Sequence, residues 1–230
     1  MFRRDDVGWA WAHQMVGLGP PYDMHMKRIV LASNNPGKLR EIAALLAPLA
    51  IEVIRQSQLG IAEAEEPHES FLQNALAKAR HTSRASGLPA LADDSGLCVD
   101  ALQGAPGVHS AYYAGREGSR EERDARNNGK LLASVGNERR AHYACAMALV
   151  RSADDPAPLV AEGAWHGEIA RAPRGANGFG YDPLFLLPER GLTAAELPAD
   201  EKNRISHRGM ALARLLAALR TRSRVARASL

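Results

Sequence analysis

Two β-rich runs, residues 140–151 and 159–170, flank Asp154-Asp155-Pro156, and runs of that length so close in sequence pair as an antiparallel hairpin. A sheet is therefore the frame of the fold. Upstream, short apolar runs at 28–32, 51–54 and 88–92 alternate with stretches of helical period. The first such stretch carries Leu39, Ile42, Leu45 and Leu46, the second Phe71, Leu72, Ala75, Leu76 and Ala79. Strands separated by helices, joined to a long hairpin, make the sheet mixed and the class α/β, with helices flanking the sheet. Ser70 with Gln73 reads as a capping box opening the second helix, which extends to about Arg84. Downstream, 97–99 suggests a strand paired across a turn at Ser95-Gly96, 104–107 breaks the chain, and 121–133 is a polar helix. A short strand at 181–187 precedes a last helix at 207–220, whose apolar side carries Leu212, Leu215, Leu216 and Leu219.

Of 230 residues, 46% are hydrophobic and 24% charged, enough for one sizeable core. Residues 27–220 are expected to form a single domain, 1–26 an unstructured extension and 221–230 a basic tail. The net charge of +3 rests on 29 Lys and Arg against 26 acids, and four of the arginines, Arg220, Arg222, Arg224 and Arg227, stand at the C-terminal end. A nearly neutral body argues against nucleic acid as a partner. Cys98 and Cys145 lack Cys-x-x-Cys spacing and read as thiols in a reducing compartment. The early run Trp9-Ala10-Trp11-Ala12 is interrupted by His13 and Gln14, so it makes neither a signal segment nor a membrane span, and a cytoplasmic location is expected.

Four polar constellations stand out from this frame. Ala92-Asp93-Asp94-Ser95-Gly96 puts adjacent carboxylates at the end of an apolar strand, where Mg²⁺ can bridge a carboxylate and a phosphate; the same residues also suit a plain turn. Glu65 and Glu66, in an acidic loop one helix earlier, add further oxygen ligands or form an exposed acidic loop. Ser33-Asn34-Asn35-Pro36-Gly37-Lys38 offers Asn35 as a helix cap, Pro36 at the first helical position, a glycine for close approach, free N–H groups and a lysine, together an anion site. It lacks the frame of a Walker loop. Gly178-Phe179-Gly180-Tyr181-Asp182-Pro183 leaves a ring face open for a flat base, or is a turn with a packed Phe. Finally, Ser206 reads as an N-cap, which places His207 and Arg208 in the first helical turn near Lys202, where cations oppose the helix dipole unless an anion is bound.

Taken in order, these motifs resemble the inosine triphosphate pyrophosphatase family, the bacterial XTP/dITP diphosphatases, over residues 27–219. The resemblance implies an elongated sheet with two lobes around a nucleotide cleft, a homodimer, and Mg²⁺-dependent hydrolysis of ITP, dITP or XTP to monophosphate and pyrophosphate. It assigns Ser33, Asn34, Asn35, Pro36, Gly37, Lys38 and Lys78 to the phosphates, Glu65 and Asp94 to the metal, and Asp94 to the proton of the attacking water. Ser95 would contact substrate. Phe179, with Gly180 and Tyr181 beside it, would stack on the base, Asp182 would shape the pocket, and Lys202, His207 and Arg208 would address the purine edge. Tyr112 stands where the family commonly has an arginine, and Glu66 is the alternative to Glu65. The other readings are a related Maf-like pyrophosphatase and a nucleotide-binding module that does not turn over.

Overall fold

The structure, a computed structural model, describes residues 27–49 and 51–228; the extension expected at 1–26 lies outside the described residues. Seven strands form one sheet in the order β2-β1-β3-β4-β5-β6-β7. They are β1 (Arg28–Leu31), β2 (Glu52–Arg55), β3 (Ala90–Val99), β4 (Arg140–Val150), β5 (Leu159–Ile169), β6 (Phe185–Leu187) and β7 (Leu192–Thr193). The β1 strand is parallel to both neighbours and all later pairings are antiparallel, so the sheet is mixed as the sequence pattern requires. The long hairpin pairs Arg140 through Leu149 with Glu168 through Leu159, and Asp155 closes its loop by accepting from the Arg151 and Ala157 amides at 3.0 Å each.

The two sheet faces are covered by different helices. On one, α2 (Phe71–Ser86) lays Ala75 and Ala79 on Ala90, Ala92 and Ala148, small residues that bring the helix close to the strands. On the other, α5 (His207–Ala228) packs Leu212, Leu215 and Leu219 with α1 (Pro36–Leu46) over Leu91, Met147 and Leu149. Further along the same sheet α3 (Arg120–Ser134) contributes Leu131 to a second cluster with Leu97, Val99, Tyr143, Trp165 and Phe185. Strand β3 thus passes from one apolar core to the other, and its polar middle, Asp93 to Ser95, lies between them.

Several expectations change. The segment 90–99 is one unbroken strand, with no turn at Ser95-Gly96; Asp93 pairs with Met147 and Asp94 with Ala146 in register. Gly96 is needed for close approach instead, since a Cβ there would fall 2.2 Å from the Gly107 carbonyl oxygen. The segment Gly107–Tyr112 forms a 3₁₀ turn against this strand, held by Ser110, whose hydroxyl accepts from the Leu97 amide at 2.9 Å. The strand expected at 181–187 begins only at Phe185, because Tyr181 and its neighbours close a turn in which the Leu184 amide donates to the Tyr181 carbonyl at 2.9 Å. Ser70 precedes α2 but makes no side-chain cap; Asn74 does the anchoring, bonding both the amide and the carbonyl of His68. Lys202 sits on a short helix α4 (Ala199–Ile205) missed in the sequence, and α5 continues past Arg220 to Ala228.

Candidate active site

The β1 strand ends at Leu31, pairing with β3 only at Ala90 and Leu91, so between Ala92 and Gly96 that side of β3 is an open sheet edge, closed again where Leu97 to Val99 meet the segment 105–110. A parallel strand that stops short leaves a crevice beyond its C-terminal end, the usual place for a ligand in open α/β sheets. The chain that leaves β1 lines this crevice with Ser33, Asn34, Asn35 and Lys38, facing Asp94 and Ser95. The cavity measures about 840 Å³ and also takes in Glu65, Glu66, Lys78, Phe179, Gly180, Tyr181, Asp182, Lys202, His207 and Arg208. Residues from six segments of the chain therefore meet in one space.

Period-two alternation sends the adjacent acids to opposite faces of β3. Asp93 faces α1 and α5, with its Oδ2 3.1 Å from Lys38 Nζ and 3.2 Å from Arg208 Nε. Burial pushes its pKa up, but Lys38 and Arg208 outweigh burial and hold the carboxyl below the usual carboxylate range. Asp94 faces α2, its Oδ1 3.2 Å from Lys78 Nζ and its Oδ2 accepting from Asn74 Nδ2 at 3.2 Å. For Asp94, burial exceeds the pull of Lys78 and Lys38, so its pKa is raised. One acid is a fixed counter-ion; the other is a base of increased strength.

Two carboxylates hold the base end. Asp182 Oδ2 accepts from the Phe179 amide at 2.8 Å and from Lys202 at 2.6 Å. Gly178, at φ +77°, leaves room for it, since a Cβ there would lie 2.0 Å from that oxygen. Glu41, on α1 one turn past Lys38, binds Lys202 Nζ at 2.9 Å and also Arg208. Glu41 was not among the residues singled out in the sequence. Arg208 further donates to Ser95 Oγ at 2.9 Å. His207 stacks on Tyr143 with ring centroids 4.6 Å apart, and its buried Nδ1 has no hydrogen-bond partner among the described residues. Burial, then the charges of Arg208 and Lys202, drive its pKa well below the ordinary value, so the imidazole is neutral at pH 7. Ser206 caps α5 as expected, accepting from the Gly209 amide at 3.2 Å.

The loop at 33–38 differs from a free anion cradle. Asn35 Oδ1 already accepts from the Gly37 and Lys38 amides, at 3.0 and 3.1 Å, and Ser33 Oγ from the Asn35 amide at 3.2 Å. Pro36 opens α1 but, like Gly37, does not line the cavity. Gly37 lies under Phe179 instead: a Cβ would fall 2.3 Å from the ring, so this glycine gives room to an aromatic side chain. On the far side, Asp124 accepts from the Gly180 amide and Asn128 donates to the Gly180 carbonyl, both at 2.9 Å. These α3 residues, four apart on one helix face, clip the Phe179 loop from below.

As to a metal, among the described residues no group of three or more His, Cys, Asp or Glu side chains could hold one. Mg²⁺ needs fewer, since one or two carboxylates suffice when water and phosphate complete its shell, so Asp94 and the Glu65-Glu66 loop form a suitable donor set. Glu66 pairs with Lys78 at 2.5 Å, and Glu65 lines the same cavity.

A mixed sheet with an edge crevice, a buried base, paired lysines and an aromatic platform defines an α/β protein fitted to a nucleotide. The chain belongs to the Ham1 family, whose model matches residues 29–218. It is 62% identical over 199 residues to the dITP/XTP pyrophosphatase of Bordetella pertussis, covering 85% of this chain and 92% of that protein. It is 61% identical to the dITP/XTP pyrophosphatase of Burkholderia pseudomallei, covering 86% and 95%. A solved HAM1 protein from Coxiella burnetii superposes with a TM-score of 0.77 at 48% identity, over 85% of this chain and all of that one. Among the described residues, no helix is long and apolar enough to cross a membrane.

Proposed function

We propose that this chain hydrolyses non-standard purine nucleoside triphosphates, ITP, dITP and XTP, to the nucleoside monophosphate and pyrophosphate, clearing them from the nucleotide pool. The observation that carries this reading is a single cavity containing both a buried carboxylate of raised pKa, Asp94, and an aromatic platform ringed by hydrogen-bond donors. The names of the relatives from Bordetella and Burkholderia support it.

In this reading water adds across the anhydride between the α- and β-phosphates, its oxygen going to phosphorus and its proton to Asp94. Asn74 and Lys78 orient that carboxylate, and a base with a raised pKa accepts a proton at neutral pH more readily than an ordinary one. Mg²⁺, held by Glu65 and Asp94, would neutralise phosphate charge and polarise the anhydride. Lys38 and Lys78 add fixed positive charge. At the other end the base stacks on Phe179, and Lys202, His207 and Arg208 present donors to its edge. A 6-keto oxygen accepts from such donors, whereas the amino group of adenine meets them donor to donor and leaves buried polar groups unpaired. The enzyme works as a homodimer in the cytoplasm, where Cys98 and Cys145 remain the free thiols seen here.

A substrate panel with pyrophosphate detection tests the reading. ITP, dITP and XTP should exceed ATP in kcat/KM by about 10²-fold or more, the scale of discrimination expected when buried donors are left unpaired. Equal turnover of ATP, or phosphate in place of pyrophosphate as product, would remove it. The α3 clip gives a second expected result. In D124A/N128A the Phe179 loop loses both tethers while Asp94 is untouched, so KM for ITP should rise by about tenfold, the value of about 1.4 kcal/mol for lost hydrogen bonds, with kcat nearly constant. A fall confined to kcat would disconnect α3 from base binding.

A further inference from the structure

The positive charge on the Lys38 side of the cleft is largely committed. Lys38 is 3.1 Å from Asp93, Lys78 3.2 Å from Asp94 and 2.5 Å from Glu66, and Lys202 lies between Asp182 and Glu41. A triphosphate brings several negative charges that these pairs have already half spent. The opposite wall carries three more cations lining the same cavity, Arg116, Arg120 and Arg123. Arg120 lies over the Phe179 ring at 5.1 Å and 3.8 Å from Asp124, so it belongs to the base end. Arg116 and Arg123 differ. Neither has a carboxylate within ion-pair distance among the described residues, and both guanidinium groups gather on the ring of Tyr112, Arg116 at 4.2 Å and Arg123 at 5.6 Å from its centroid. Arg123 Nη1 also donates to the Gly118 carbonyl, which fixes its direction.

Stacking on a tyrosine holds a guanidinium plane in place while leaving its in-plane N–H fork unused. Two guanidinium groups gathered on one ring in a cleft wall, neither paired with a carboxylate among the described residues and with only Arg123 Nη1 taken up, by the Gly118 carbonyl, match the oxygens of a phosphate chain, which arginine binds bidentately. We infer that Arg116 and Arg123, ordered by Tyr112, form the subsite for the distal phosphates of the substrate and so hold the pyrophosphate leaving group. This rests on the triphosphate reading of the cleft and adds to it a division of labour: the Lys38 side faces the scissile anhydride, and the Tyr112 side takes up the charge that grows on the departing pyrophosphate. Arg126 provides an internal control, because it stands on the same helix, is exposed, and donates to the Glu117 carbonyl.

The test is calorimetric titration of the full chain with pyrophosphate and with inosine monophosphate, each in magnesium chloride, alongside ITP kinetics. In R116Q/R123Q pyrophosphate should bind at least about tenfold more weakly and with a shallower salt dependence, as loss of charge-assisted phosphate contacts requires, while the monophosphate binds as in the parent. The kcat/KM for ITP should fall by about 10- to 100-fold, and R126Q should change neither. Unchanged pyrophosphate binding, absent pyrophosphate binding in the parent, equal loss for the monophosphate, or the same loss in R126Q would each overturn the subsite. Should the parent release no pyrophosphate from ITP, the hydrolase reading falls, and the pyrophosphate titration still decides the subsite.

Discussion

Asp94→Asn should leave a well-folded protein that has lost pyrophosphate release from ITP by about 10³-fold, within the range for removing a general base. The variant keeps the shape and the Asn74 contact but cannot take a proton. Stability should not suffer. A carboxyl whose folded-state pKa is raised costs stability once pH climbs through that pKa, because the ionised form is disfavoured by burial; a neutral amide removes the cost at pH 7. The Tm of D94N should equal or exceed that of the parent, and Lys78 keeps Glu66 as partner. The neighbouring substitution reverses the pattern. Asp93 has a lowered pKa, so it contributes stability above the ordinary carboxylate pKa of 3.8, and D93N should lower the Tm at pH 7 by leaving Lys38 and Arg208 without their shared counter-ion. A D94N protein that hydrolyses ITP at the parent rate would end the assignment of the base.

The contrast between these two acids also shows what sequence could and could not deliver. The hairpin was legible because two β-rich runs over residues 140–151 and 159–170 around one turn are a local property, and so was the Asn35 cap, which needs only its next three residues. The middle of β3 was not. Asp, Ser and Gly are turn formers by local preference, and they lie in a strand because Lys38, Lys78 and Arg208, 16 to 115 positions away, meet them there. Glu41 escaped for the same reason: its partners Lys202 and Arg208 are 161 and 167 residues off, and nothing in an amphipathic helix marks a glutamate whose partners lie on α4 and α5. The motifs were recognisable as a set and in order, whereas their geometry, such as Gly37 making way for Phe179 and not for a phosphate, needed the folded chain.

Arg208→Met is expected to be the most destabilising change in the site. Arg208 is 2% exposed and is among the largest fully buried side chains, with Asp93, Glu41 and Ser95 around its guanidinium. Methionine fills similar space but leaves two buried carboxylates short of a partner. Breaking a buried ion pair from one side costs about 3–5 kcal/mol. For a chain of this length each kcal/mol moves the midpoint by about 2–4 °C, so the Tm should drop by about 6–20 °C. Removing the charge of Glu41 as well tests the cause: E41Q/R208M should recover part of the loss, because the coupling between contacting groups is not additive. A drop below about 2 °C, or no recovery in the double variant, would show that Lys38 and Lys202 alone satisfy these acids. Arg208→Lys separates stability from recognition. A lysine restores charge near Asp93 but cannot reproduce the planar fork that reaches Asp93, Ser95 and Glu41 at once. R208K should therefore regain much of the Tm while kcat/KM for ITP, measured well below the melting range of every variant, stays depressed. If activity and Tm recover together, Arg208 serves the cleft only by holding α5 against β3, and the purine edge is read by Lys202 and His207 without it.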